Sequence, residues 1–297
     1  MAHSPSAAPD AVVMPAPPTL SYRLARLART QPLAVAGAIF LILVALVAIF
    51  APLLGTVDPL AVAPARRARF PSAEAWFGTD MLGRDLYSRV IYGARVSLTV
   101  GLAVGVLAVA TGLLIGTVSG FIRWLDPIIM RIMDGLMSIP GILLAIALLA
   151  VAPGTLQNVI IAIAASQVAR VARLVRGEVL RVRGNLYVEA AMAAGTPTWR
   201  IMLKHVIPNI LGPVIVQATF ICADAMLVEA VLSFVGAGLP SSVPSWGSIM
   251  SDARALWQVR PYMIAIPALF ISLTVLSINM IGDAARDALD PHSQKRL

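Results

Sequence analysis

The chain has 297 residues, of which 59% are hydrophobic and 13% charged, and its mean hydropathy is +0.84. A soluble domain of this length carries about twice that share of charge, so the composition excludes a water-soluble globular protein. The net charge of +8 comes from Arg set between apolar runs; that is the positive-inside pattern of membrane proteins, and it argues against a nucleic-acid partner.

Six segments are apolar enough to cross a membrane, which takes roughly 20 residues per helix. Residues 1–32 read as a disordered cytoplasmic tail, rich in Pro, Ala and Ser and basic at Arg23, Arg26 and Arg29. Span 1 covers 33–54 and carries no charge. It is too long for the apolar core of a signal peptide, so an uncleaved span is expected. A loop at 55–95 follows, then span 2 at 96–122, again without charge. Span 3 covers 132–152, with Asp134 near one end and Pro140 inside. Span 4 starts at 155–169 and extends through Arg170 and Arg173, whose long side chains can snorkel to the interface. Span 5 covers 210–239, interrupted by Asp224 and Glu229, and span 6 covers 261–282. The tail at 283–297 is expected to be cytoplasmic and holds three basic residues, Arg286, Lys295 and Arg296. The lone cysteine, Cys222, lies in span 5 and reads as a small buried hydrophobe.

Orientation follows from Lys and Arg. With both termini cytoplasmic, the inner segments hold 15 of the 23 basic residues. That topology is expected, with lipid around the spans. In span 2, Gly101, Gly105, Gly112, Gly116 and Gly120 fall on one helix face. Such a small-residue stripe lets a neighbouring backbone approach closely.

Bond-making chemistry is hard to assemble. The histidines are His3, His205 and His292, and no HExxH, CxxC or GxSxG pattern occurs. No catalytic residue, metal site or cofactor is expected. Asp224 and Glu229 lie five residues apart and do not share a face. A phosphate-binding loop needs a Gly-Lys pair, yet Lys204 and Lys295 follow Leu203 and Gln294. If ATP drives the process, another chain supplies the ATPase.

The segment 187–208 is built as two short helices between apolar spans. Glu189 to Ala194 is an Ala-rich run with strong helix propensity. Gly195 is placed to end it in the left-handed conformation. Thr196 fits an N-cap and Pro197 the first helical position. The second helix is expected to run through Trp199 towards Pro208. The first is too short to be stable alone in water and needs a partner to pack against.

Glu189-Ala190-Ala191, Gly195 and Ile207-Pro208 at this spacing resemble the EAA loop of permease subunits in bacterial ABC importers. Further segments are similar to the dipeptide, oligopeptide and nickel group. They include Phe77-Gly78-Thr79-Asp80, Leu82-Gly83-Arg84-Asp85, Ser138-Ile139-Pro140, Pro244-Ser245-Trp246-Gly247 and Asp287-Ala288-Leu289-Asp290-Pro291. The extra span before the core fits the C-type subunit. The resemblance implies an all-α, type I importer permease with six membrane helices: a first span, a five-helix core at 96–282 and a coupling loop at 176–208. It implies a homologous permease as heterodimer partner, two ABC ATPases that the coupling loop docks on, and an extracytoplasmic substrate-binding protein. Short peptides are the expected cargo, with nickel or another small solute as the alternative. Ala190, Ala191, Gly195, Thr196, Pro197 and Pro208 would share the coupling role with Glu189. Asp224 and Glu229 would line the path or be satisfied hydrogen-bonding groups. Trp246 reads as an interface residue or a binding-protein contact. Arg84 and Asp85 would brace their loop or touch that partner. A stand-alone secondary transporter using Asp224 and Glu229 is the competing reading, and an integral-membrane enzyme finds little support.

Overall fold

The computed structural model describes residues 30–289. Apolar runs of membrane length become helices, because a backbone in lipid must bond within its own segment. Helix α1 (Pro32–Ile49) opens with Pro in its first turn and leaves most of its surface uncovered. Its few buried residues include Gly37, set against Ser277. Arg95 donates to the carbonyls of Ala48 and Ile49 at 3.0 and 3.2 Å, closing the end of α1. A cation is well placed at a helix C-terminus.

Helix α2 (Leu86–Phe121) spans 36 residues, about 54 Å at 1.5 Å per residue. It begins ten residues before the apolar run that signalled it. Asp85 caps it, accepting from the Ser88 N–H at 2.8 Å. The glycine stripe is a packing face, shared between two neighbours. A Cβ at Gly101 would sit 2.7 Å from Met226 Cγ. At Gly112 and Gly116 it would sit 2.5 Å from Val171 Cβ and the Ala172 carbonyl.

The third apolar run is not one straight helix. Helices α3 (Asp126–Ser138) and α4 (Gly141–Val151) meet at 89°. Pro140 forces Ile139 out of the helical region, to φ −94° and ψ 127°. Five helices are therefore long and apolar enough to span, or six if this bent pair is one span. Helix α5 (Leu156–Arg183) continues well past Ala169.

After α5 come α6 (Leu186–Ala193) and α7 (Thr198–Ile201). The chain does not stop at Pro208. A π turn at Met202–Val206 joins α7 to α8 (Ile207–Val235), so one helix runs from Thr198 to Val235, 38 residues. The Ile207 N–H reaches back to the Met202 carbonyl. That slip in register comes immediately before a proline ring that could not take the ordinary helical bond. Gly236, at φ +91°, ends the helix. Helix α9 (Trp246–Ala253) starts with a capping box between Ser245 and Ser248. Helix α10 (Tyr262–Leu289) packs against α1 and α8. Among the described residues the fold is helical with no named strand. The tails at 1–29 and 290–297, including Asp290 and Pro291, lie outside the described residues.

Candidate functional site

The start of α2 and α9 lie at one end of the bundle. The C-terminal end of α2, the end of α5 and α6 lie at the other, where Gly120 meets Val179. Each end carries a distinct set of sequence-singled residues.

At the α6 end, the Gly195 turn has the bonds of a Schellman motif. Its N–H donates to the Met192 carbonyl at 3.0 Å, and the Thr196 N–H donates to the Ala191 carbonyl at 3.1 Å. Gly195 has φ +73°, and nothing lies within 4 Å of where a Cβ would stand. Glycine is required here by backbone conformation, not by space. Thr196 is not the cap expected for it, because α7 starts one residue later, with extended Pro197 in the capping position and no side-chain cap bond. Pro208 is inside the long helix and does not close a separate one.

Val188, Ile201 and Val206 anchor this element into the core. Leu186 (84% exposed) and Trp199 (62%), with Met192 and Leu203, stand uncovered around Ala190, Ala193 and Ala194. Glu189 is exposed, opens onto a recess of about 360 Å³ with Arg123 and Arg183, and has no ion pair among the described residues. The result is an apolar surface with a free acid, held on a stiff mount.

The arginines of α5 are engaged within the chain. Arg176 grips Asp126 through two bonds of 2.5 and 2.6 Å, and Ser119 donates to the same carboxylate. Arg173 meets Asp134, Arg181 meets Glu178, and Arg183 donates to the Phe121 carbonyl.

At the α9 end, Arg84 does not pair with Asp85. It pairs with Asp80 at 2.6 Å and with Asp252 at 2.7 Å. Arg89, fully buried, bonds the same two carboxylates at 2.6 and 2.8 Å. Both guanidinium groups also donate to the Ser241 carbonyl. Two cations and two anions form a neutral clamp joining the loop before α2 to α9. Arg84 and Asp85 therefore brace this end, Asp85 as the cap of α2. Trp246 is 0% exposed, so it is neither an interface residue nor a surface contact. Its Nε1–H donates to the Val90 carbonyl at 3.1 Å and its ring stacks on Phe270. Asp80, Arg89 and Asp252 could not be grouped with Arg84 from the sequence, since Asp252 lies 168 and 163 residues from the two arginines.

Glu229 is fully buried and accepts from Ser233 and Ser245 at 2.8 and 2.7 Å. It ties α8 to the start of α9, and its other oxygen, Oε2, is buried without a hydrogen-bond partner. Asp224, 42% exposed, lies on the opposite kind of surface, on a face shared with α5. The two acids are not brought together. Among the described residues no three His, Cys, Asp or Glu side chains converge as metal ligands.

Among the described residues the chain is a helical bundle of membrane-length segments, braced by ion pairs at one end and leaving an apolar surface and a free acid uncovered at the other. The chain matches the family described as binding-protein-dependent transport system inner membrane component over residues 108–295. It matches the N-terminal membrane domain of oligopeptide transport permease C over residues 23–71. It is 46% identical over 93% of its length to the probable peptide ABC transporter permease protein y4tQ of Sinorhizobium fredii, covering 94% of that protein. It is 44% identical to the dipeptide transport system permease protein DppC of Alkalihalophilus pseudofirmus, covering 89% of this chain and 87% of the relative. It is 40% identical to a glutathione transport system permease protein GsiD of Escherichia coli, covering 89% and 88%. The fold is similar to the inward-facing MetNI methionine ABC transporter, at TM-score 0.57 and 20% identity, over 69% of this chain and 98% of that one. The chain belongs to the binding-protein-dependent transport system inner membrane component family. It is a multi-pass inner-membrane permease, and a permease is not itself a catalyst.

Proposed function

We propose that this chain is one of two permease subunits of an ATP-driven importer of short peptides. The second permease is a homologue that completes the path, and two ABC ATPases sit on the α6 end. A binding protein delivers cargo at the α9 end, and both termini face the cytoplasm. The concentration of Lys and Arg at the α6 end supports this orientation. The relatives' names supply the cargo class: peptide, dipeptide and glutathione share main-chain amide chemistry.

The observation that carries the docking assignment is α6 itself. An eight-residue helix is marginal alone in water. Here Val188 is buried and Ala191 partly buried against the core, while Leu186, Tyr187 and Met192 stand exposed. Glu189, Ala190 and Ala191 lie on it, and Gly195, Thr196 and Pro197 turn the chain into the long helix. Motion imposed on α6 passes directly to α8. ATP hydrolysis itself takes place on the separate ATPase subunits.

Co-purification tests this reading. An ATPase and a second permease are expected with the native chain, and the ATPase is expected to be lost from Leu186→Glu while the permease pair persists. A solitary chain that moves peptide without nucleotide overturns the reading in favour of a secondary transporter.

A further inference from the structure

Gln167, Arg170, Leu174, Glu178 and Arg181 follow one another on α5 at steps of three and four, and so share a face. On α8, Pro213, Phe220 and Asp224 share the face opposite. A cleft of about 890 Å³ lies between these helices, lined by Leu174, Glu178, Arg181, Pro213 and Phe220, and it opens at the α6 end. Counted along the helices, Arg170 and Asp224 lie about one turn beyond the lining residues Leu174 and Phe220, and Gln167 about two turns beyond Leu174.

The bonding there is incomplete in an informative way. Gln167 is 3% exposed, and its Nε2 donates to Asp224 Oδ2 at 2.6 Å. Its Oε1 is buried and has no hydrogen-bond partner. Arg170 Nη1 stands 3.6 Å from the same Asp224 oxygen, with the two side chains 55% and 42% exposed. That is a loose pair without hydrogen-bond contact. A carboxylate and guanidinium half-open on a membrane helix face are costly against lipid, so this face meets water or protein. A carboxylate beside an orphaned amide oxygen is a set of acceptors with too few donors. An ammonium group brings three donors and one positive charge.

We infer that Gln167 and Asp224 form a subsite on the transport path for the N-terminal ammonium of a peptide, with Arg170 as the resident counter-ion that the ammonium displaces. This rests on the permease reading above and adds to it the part of the cargo that is read. The exchange replaces one cation by another beside Asp224, so the site stays neutral, and the incoming donors reach Gln167 Oε1, which Arg170 leaves unpaired.

The test uses the assembled complex without its binding protein, and alanyl-alanine and N-acetyl-alanyl-alanine as probes. Thermal stabilisation by alanyl-alanine, but not by the acetylated peptide, is expected. Loss of a charged hydrogen-bond partner in Asp224→Asn weakens apparent affinity at least about tenfold, and Asp224→Glu restores part of it. Arg170→Gln removes the competing cation and moves affinity the other way, tighter. A structural pair predicts loss in both variants, so weaker affinity in Arg170→Gln overturns the proposal. Equal stabilisation by the two peptides overturns it as well. In reconstituted vesicles with the loaded binding protein, Asp224→Asn is expected to deliver fewer peptides per ATP hydrolysed. Unchanged delivery overturns the subsite and leaves the permease reading standing. No ATP-dependent uptake by the native complex overturns both.

Discussion

At the α9 end, Asp80, Arg84, Arg89 and Asp252 hold one another through bonds of 2.6–2.8 Å, and Trp246 is sealed against Val90 and Phe270. At the α6 end, Glu189 and Met192 on α6, and Trp199 and Leu203 beyond it, stand uncovered, while Val188, Ile201 and Val206 anchor the element. One end joins its charged side chains to one another inside the protein. The other leaves apolar surface and a free acid to be satisfied by something else. The difference separates residues that hold the fold from residues that wait for a partner, and it does so independently of residue type, since both ends use Arg, Asp or Glu, and Trp.

Four substitutions probe that contrast, in descending order of their expected effect on stability. Arg89→Met removes the fully buried cation from two carboxylates, and breaking a buried pair costs about 3–5 kcal/mol. The thermal midpoint of the solubilised complex should fall sharply, and an unchanged midpoint would show that the clamp does not hold this end. Gly116→Val forces side-chain atoms against the Ala172 carbonyl, where even a Cβ would stand at 2.5 Å. Overpacking of this kind costs about 1–3 kcal/mol, readable as poorer yield and a lower midpoint. Gly195→Leu places a side chain at φ +73°, at about 1–2 kcal/mol. That strain biases the turn away from its native form by roughly tenfold. Peptide uptake and stimulated ATP hydrolysis should collapse while membrane insertion persists, and Gly195→Asn should retain most activity. Trp199→Ala touches no core and should change stability by no more than about 0.5 kcal/mol. Its ATPase stimulation should still drop; full stimulation would remove Trp199 from the docking surface.

Much of this was readable from short windows of sequence. The spans, the glycine face and the Gly195 turn each depend on patterns within a few residues of themselves. The long helix from Thr198 to Val235 was not readable, because Pro208 looks like an end. A π turn just before Pro208 absorbs the missing bond, and Asn209 donates its side-chain amide to the His205 carbonyl at 2.6 Å. The 89° bend in the third apolar run escaped hydropathy, which averages over direction. The clamp was out of reach for another reason. Arg84 and Arg89 find Asp252 across 168 and 163 residues of sequence. Trp246, placed at the surface by its position after a span, owes its burial to residues about equally remote. The acids in the fifth apolar run were legible as candidates, but only their neighbours could tell that Glu229 is sealed and Asp224 open.

The unbroken helix from Thr198 to Val235 also sets a gear ratio. Its far end is held beside α9, where the Phe234 carbonyl accepts from Ser251 and Arg254, and its near end carries the proposed docking surface. Counting back from Val235, Asp224 is eleven residues away and Thr198 thirty-seven. If the helix tilts about its fixed end, Asp224 travels roughly a third as far as Thr198, at 1.5 Å of axis per residue. A swing of several ångströms at the docking surface thus becomes a displacement of one or two ångströms at Asp224 — about the difference between a hydrogen bond held and one released.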